Sequence, residues 1–225
     1  MELKQADLIY VIRGMLTPDQ CDTIIQEYED RKDTCAYESC DHAITNILTH
    51  STFTKVELIP GTQTFDIIHS NTEKLINDWI YYLDNFQCFH THILKKMLKY
   101  SHAYRLMKYD IGGKIHPHID WAHFTHASAT FNLNDEYTGG EFTFFNGKHI
   151  VELKKGDAMI WPADPFWVHE VKPIQTGLRY SCNSFICSLP IKLKEHFHDY
   201  CDNLGDLPEF TDNWYYPSSK ENIIR

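Results

Sequence analysis

From Ala103 onward the chain is written in short segments of β-branched and aromatic residues, each stopped by a turn signal. The signals are Gly112-Gly113, Gly139-Gly140, Asn146-Gly147, Gly156-Asp157 and Thr176-Gly177. Punctuation this frequent leaves room for strands rather than long helices. The expected strands cover about 103–109, 115–120, 127–133, 141–145, 148–154, 157–161, 167–172 and 178–188. Short strands in this rhythm predict a mainly β chain, an antiparallel sandwich or jelly roll, with flanking helices packed on one outer face.

The first hundred residues follow another grammar. Residues 8–12 read as a strand, and Thr17 then offers an N-cap with Pro18 at N1 and Gln20 at N3. Cys21, Ile24, Ile25 and Tyr28 repeat at helical spacing behind that cap. Asn71 is read as the cap of a second helix, whose stripe is Leu75, Ile76, Trp79, Ile80 and Leu83. After a break at Asp84-Asn85, a further helical stretch with Ile93, Leu94, Met97 and Leu98 runs to about residue 99. Residues 33–70 are rich in Thr, His and Ser without a sustained period, so irregular structure is expected there, with short strands such as Lys55 to Ile59. That segment is the candidate lid. A last helix is expected from Lys192 to Tyr200.

A chain of 225 residues is within the range of one domain. The expected organisation is helical support and lid over about 1–102, a β core over about 103–189 and a C-terminal extension over 190–225. Lys and Arg number 21 against 31 Asp and Glu, for a net charge of −10. That balance argues against a nucleic-acid partner, which needs clustered cations to displace counterions. The basic knot Lys95-Lys96-Met97-Leu98-Lys99 reads as a solvated helix face. Seven cysteines, with no Cys-x-x-Cys pair, suggest free thiols in a reducing compartment. The start resembles no signal peptide and no apolar run reaches bilayer length, so a soluble cytoplasmic protein without a membrane partner is expected.

Chemistry concentrates between Tyr109 and Arg179. Residues at i and i+2 on an extended segment point to the same side, so His118 and Asp120 can occupy adjacent positions around one metal. His169 would supply a third ligand. Two imidazoles and one carboxylate leave coordination positions open, the arrangement associated with non-haem Fe(II) oxygenases. Among 14 histidines and 31 acids a lone His-x-Asp means little, and the strand contexts of His169 and Arg179 give it weight. A competing His116-x-His118 pair needs a Glu a few residues later. Trp121 and Ala122 stand there, and the next Glu is Glu136, which favours Asp120 and leaves His116 as a pocket-lining residue. His123 and His126 read as loop histidines. Arg179 offers a permanently charged fork to a carboxylate, and Ser181 shares its face of the strand. A 2-oxo acid chelating the iron would present its distal carboxylate to such a partner. Leu178, Tyr180, Cys182 and Phe185 make this strand look buried, against a surface ion pair for Arg179.

The run Tyr109-Asp-Ile-Gly-Gly-Lys-Ile-His-Pro-His118-Ile-Asp120, then Tyr137-Thr-Gly-Gly-Glu-Phe142, Lys155-Gly156-Asp157 and His169-Glu-Val-Lys-Pro-Ile-Gln-Thr-Gly-Leu-Arg179-Tyr-Ser181, resembles the Fe(II)/2-oxoglutarate-dependent oxygenases. Within them it is similar to the prolyl 4-hydroxylase-like branch, closely over about 103–188, and Met15 to Asp22 looks like the strand-to-helix entry of that branch. The resemblance implies a double-stranded β-helix (jelly roll) core, with His118, Asp120 and His169 as catalytic iron ligands and Arg179 as the co-substrate anchor. By the same resemblance Tyr109 and Asn132 fall at co-substrate pocket positions.

It further implies Fe(II), 2-oxoglutarate and O2, with ascorbate as a candidate reductant, and a peptide or protein substrate bearing the prolyl residue. The expected reaction is oxidative decarboxylation of 2-oxoglutarate to succinate and CO2, with hydroxylation of a substrate C–H bond. Related halogenases replace the carboxylate at the place of Asp120, so its presence favours hydroxylation. Two departures weaken the prolyl assignment: Ile115 stands where the branch often has an aromatic, and the anchor is Arg where it is often Lys. Nucleic-acid dealkylases carry another arginine six residues after the anchor, and here that place is Phe185. Other readings are an oxygenase acting on a free amino acid or other small molecule, and a non-catalytic sensor that binds metal and a 2-oxo acid. Trp121, Trp161, Phe166 and Trp167 are candidate pocket aromatics, with core packing the stronger reading for Trp161.

Overall fold

A computed structural model describes residues 3–41, 48–120, 124–190 and 192–193. Contacts divide the chain into two units, 1–190 and 191–225. The expected helix from Lys192 to Tyr200 lies outside the described residues apart from its first two.

In chain order the first unit contains β1 (Tyr10–Ile12), α1 (Pro18–Asp30), β2 (Ala36–Asp41), β3 (Leu48–Glu57), α2 (Gln63–Asp84) and α3 (Thr91–Met97). The β-rich part follows as β4 (Tyr100–Tyr109), β5 (Ile115–His118), β6 (Thr125–Asn132), β7 (Thr138–Gly139), β8 (Phe142–Phe144), β9 (His149–Val151), β10 (Ala158–Pro162), β11 (His169–Val171), β12 (Ile174–Thr176) and β13 (Arg179–Cys187).

The helices show where local chemistry decides and where it misleads. Thr17 caps α1 as expected: its hydroxyl accepts from the Gln20 amide at 3.2 Å, and the Gln20 side chain accepts from the Thr17 amide at 2.9 Å. The helix then buries Cys21, Ile24 and Tyr28. α2 begins earlier than its sequence suggested, because Thr62 is its N-cap and Asn71 sits mid-helix, donating to the Ile67 carbonyl at 2.8 Å. The stripe that α2 buries is Thr64, Ile68, Thr72, Leu75, Trp79 and Leu83, so its first turns carry threonines where a hydrophobic period would be sought. Thr72 satisfies its hydroxyl on the Ile68 carbonyl at 2.8 Å, which lets it be buried. The expected irregular stretch 33–70 also differs. It contains the β2–β3 pair, and β3, whose threonines and Val56 suit a strand, joins β4 to extend the large sheet.

The strands form a large sheet in the order β1-β10-β6-β13-β4-β3-β2 and a smaller one in the order β5-β11-β8-β9, with β12 and β7 as a separate pair. From β4 onward the chain passes back and forth between the two sheets, and every pairing is antiparallel. This is the jelly roll expected from the turn signals, and the double-stranded β-helix that the resemblance implies. One apolar cluster lies between the large sheet and the helices, including Ala127, Ala129, Phe131, Cys182, Ile186 and Trp79. A second lies between the sheets, including Met107, Tyr109, Phe142, Phe144, Met159 and Trp161. Alternation along β6 divides its residues between the two: Ala127, Ala129 and Phe131 turn toward the helices, so Ser128, Thr130 and Asn132 face the smaller sheet.

Candidate metal centre

β5 ends on His118 and β11 begins on His169, and the two are direct partners across the smaller sheet. Their ring centroids are 4.3 Å apart. Asp120, two residues past the end of β5, closes the group: one carboxylate oxygen is 3.4 Å from His118 Nε2 and the other 3.3 Å from His169 Nε2. The three ligand atoms lie within 4.8 Å of one another, so the set can hold a metal ion. Among the described residues it is the one such group.

Main-chain carbonyls orient both imidazoles. His118 Nδ1 donates to the His116 carbonyl at 2.8 Å, and His169 Nδ1 to the Trp167 carbonyl at 2.9 Å. Fixing the proton on Nδ1 leaves each Nε2 lone pair directed at the shared centre. His116 therefore enters the site through its backbone. Burial works against charge on Asp120, yet His169 and His118 hold its pKa well below the usual carboxylate range. Burial likewise opposes protonation of His169, but the Asp120 carboxylate wins and raises it. An ionised carboxylate beside two imidazole Nε2 atoms is suited to a cation, which would take the place of a proton on His169, and the donor set fits Fe(II).

Aromatic rings wall one side. Phe142 stacks on the His169 ring at 5.4 Å and Trp161 meets it edge-on at 5.1 Å. Trp161 and Trp167 are buried in the core, while Phe166 is 75 % exposed. His126 is tied to the Ser188 hydroxyl at 3.0 Å, away from the cluster. Trp121 and His123 lie outside the described residues.

Arg179 opens β13 directly across from Tyr109. It is 2 % exposed, and its Nε and Nη1 have no hydrogen-bond partner; nor does the Ser181 hydroxyl. No carboxylate among the described residues pairs with it. Burying an arginine without a counter-charge costs several kcal/mol, roughly, unless a ligand supplies the anion. The Tyr109 ring centroid is 4.9 Å from the guanidinium carbon. Burial pushes the Tyr109 pKa up to about 12 although Arg179 acts to lower it, so its hydroxyl stays protonated and can donate. Asn132 is the register partner of Ser181. Its amide donates to the carbonyls of Asn134 at 2.7 Å and Leu153 at 3.3 Å, and its oxygen accepts from the Tyr137 hydroxyl at 3.2 Å. Tyr137 was given no role from sequence. Its one signal was an aromatic placed two residues before Gly139, at the Gly139-Gly140 turn.

The family model described as "2OG-Fe(II) oxygenase superfamily" matches residues 104–187. A "PKHD-type hydroxylase" of Cupriavidus metallidurans is 39% identical over 84 residues, which is 36% of this chain and 36% of that protein. The match thus spans about a third of the length of the curated relative. Among solved structures, a viral collagen prolyl hydroxylase from Paramecium Bursaria Chlorella virus-1, crystallised as a 2OG complex, superposes with a TM-score of 0.59 at 17% identity, covering 81% of this chain and 97% of that one. A Trichoplax adhaerens prolyl hydroxylase, in complex with a hypoxia inducible factor peptide fragment, gives 0.61 at 14% identity, covering 85% of this chain and 87% of that one. At such identities the structural likeness speaks for the fold. Residues 104–187 are thus similar to the 2OG-Fe(II) oxygenase superfamily, and the fold is one that prolyl hydroxylases share. Fe(II) and 2-oxoglutarate are the metal and co-substrate that this family implies. No helix among the described residues is long and apolar enough to cross a membrane.

Proposed function

We propose that the protein is a 2-oxoglutarate-dependent dioxygenase that hydroxylates a prolyl residue in a peptide or protein. The observation that carries this is the juxtaposition in one barrel of the His118, Asp120 and His169 cluster with a buried Arg179 that lacks an acidic partner. His118 and His169 would hold Fe(II) through Nε2 and Asp120 through its carboxylate. Bound there, the iron supplies the activation of O2 coupled to decarboxylation of 2-oxoglutarate. The carbonyls of His116 and Trp167 keep both imidazoles aimed. Arg179 would take the distal carboxylate of 2-oxoglutarate in a charge-assisted pair, helped by the Ser181 and Tyr109 hydroxyls. Phe142, Phe144 and Trp161 keep that side of the centre dry, which strengthens the ion pair. Ascorbate would serve as reductant. A reducing, cytoplasmic setting agrees with Cys21 and Cys182, both buried as free thiols.

The peptide substrate is carried over from the likeness to prolyl hydroxylases, one of them bound to a peptide. Proline-rich peptides should stimulate succinate formation and gain one oxygen by mass spectrometry, and methylated oligonucleotides should do neither. Stimulation by oligonucleotides or free amino acids alone would reject the peptide reading and leave the metal centre standing.

A further inference from the structure

Arg179 is the first residue of β13 and its register partner Tyr109 the last of β4, so the candidate anchor sits at strand ends, where pairing frays most readily. Its Nε and Nη1 have no hydrogen-bond partner among the described residues, so the place of the guanidinium depends on the backbone beneath it. Asn134 fixes part of that backbone: its amide donates to the Leu178 carbonyl at 2.7 Å, and its oxygen accepts from the Tyr180 amide at 2.8 Å.

One residue along each strand, side chains point to the opposite face of the sheet. There Tyr180 of β13, Lys108 of β4 and Thr54 of β3 are register partners in one row, adjoining the row of Arg179 and Tyr109. All three meet two consecutive residues near the end of α1. The Tyr180 hydroxyl donates to Glu29 Oε1 at 2.5 Å, and Lys108 Nζ lies 3.5 Å from the same oxygen. The hydroxyls of Tyr28 and Thr54 are hydrogen-bonded to each other. Lys108 Nζ also stands 5.9 Å from the centroids of both tyrosine rings, which meet edge-on at 5.8 Å. The hydrogen bond from Tyr180, with Lys108 and Lys32 beside it, holds the Glu29 carboxyl below its usual range against the effect of burial. The contact is therefore made to a carboxylate, and bonds to an ionised acceptor are about twice as strong as neutral ones.

Neither the metal centre nor the co-substrate pocket uses this cluster. Resting on the reading of Arg179 as the 2-oxoglutarate anchor, we propose that Glu29 is a positioning residue for that anchor: by holding Tyr180 and Lys108 on the outer face, it keeps the ends of β13 and β4 in register and fixes where the Arg179 guanidinium and the Tyr109 hydroxyl stand on the inner face. The effect falls on the co-substrate and spares the metal, because His118 and His169 are paired on the smaller sheet, whereas the strands that Glu29 holds belong to the large one.

The test measures 2-oxoglutarate binding by calorimetry on the full chain loaded with Fe(II) without O2, and Fe(II) binding by titration without 2-oxoglutarate. Glu29→Ala and Tyr180→Phe should each weaken 2-oxoglutarate binding about three- to tenfold. The double variant should lose no more than the larger single loss, because both changes remove one contact. Glu29→Gln, whose amide oxygen can still accept from Tyr180, should recover part of it. Fe(II) affinity, and kcat for succinate formation at saturating 2-oxoglutarate, should stay within about twofold of wild type. Ile24→Val loosens the packing of the same helix without touching the cluster, so it should lower the melting temperature and leave 2-oxoglutarate binding unchanged. Thermal unfolding verifies that each variant is folded. The proposal is overturned if folded Glu29→Ala and Tyr180→Phe bind 2-oxoglutarate as the wild type does while Arg179→Met does not, if Fe(II) affinity falls in step with 2-oxoglutarate affinity, or if Ile24→Val weakens 2-oxoglutarate binding as much. Wild-type binding in Arg179→Met rejects the anchor reading itself, and the inference with it.

Discussion

The two faces of the large sheet are built from alternate residues of the same strands and are equally dry, yet the inner one sets buried polar groups among its apolar residues Met107, Met159 and Trp161. Toward the helices, Ala127, Ala129, Phe131, Cys182 and Ile186 are 0 % exposed and wholly apolar in packing. Toward the smaller sheet, Ser128, Thr130, Asn132, Arg179 and Ser181 are no more than 2 % exposed. Burying a large apolar side chain on the first face contributes about 1.5–3 kcal/mol. Leaving a donor such as Ser128 or Ser181 unpaired on the second costs about 1–3 kcal/mol. The outer face therefore stabilises a fold in which Ser128, Ser181 and Arg179 on the inner face are kept short of partners. Polar groups retained at that cost mark the place where ligands, rather than the protein, complete the hydrogen bonding.

The strongest challenge to this division is His169→Ala on the facing sheet. Loss of groups that merely support a ligand costs 10–100-fold in metal affinity, so loss of the ligand should cost about a hundredfold or more. Anaerobic Fe(II) titration measures it, and unchanged affinity breaks the assignment. Next comes Arg179→Met, which removes a charge-assisted pair worth about 1.5–3 kcal/mol and should raise the half-saturating 2-oxoglutarate concentration by about one to two orders of magnitude. Without 2-oxoglutarate the same variant should melt no lower than wild type, because a buried charge without a partner has been removed. Arg179→Lys should recover part of the co-substrate dependence. Wild-type dependence in both variants would place the anchor elsewhere.

A smaller and more diagnostic effect is expected at Gly140, whose φ is +69°. A Cβ there would meet Ile174 Cδ1 at 2.5 Å, Tyr137 Cε2 at 3.2 Å and Arg179 Cδ at 3.4 Å. Gly140→Ala should cost about 1–3 kcal/mol in a denaturant melt and shift 2-oxoglutarate dependence in the direction of Arg179→Met, by less. The smallest change should come from Ile186→Val on the outer face, at about 0.5–1.5 kcal/mol with co-substrate dependence unaltered. If it moved that dependence as far as Gly140→Ala, the two faces could not be treated as separate.

Much of the β core could be read directly, since turn residues and period-2 alternation are local. The segments around 127–133 and 178–188 correspond to β6 and β13 with end shifts of one or two residues. The start of α2 was hidden because threonines occupy its buried stripe; of β3 only the end was read, as a short strand from Lys55, because the polar residues before it give no period, and β2 has no β-branched residue to mark it. β7 and β12 were also missed, being only two and three residues long and held by each other. At the site, the spacing of His118 and Asp120 was legible, whereas the carbonyls that aim the imidazoles and the Tyr137 hydroxyl on Asn132 were not.

The sequence by itself determined which residues could do chemistry and which local backbone would carry them: a His-x-Asp on an extended segment, a later His, and an Arg and Ser sharing one strand face. Those properties follow from residue type and from steric rules that act over a few residues. Only the tertiary structure decided that β11 pairs with β5 so that His169 faces His118, that Arg179 is sealed without an acid beside it, and that Tyr180 and Lys108 meet on Glu29. Each of these depends on contacts between segments remote along the chain, and whether a buried group is satisfied depends on everything that surrounds it in space.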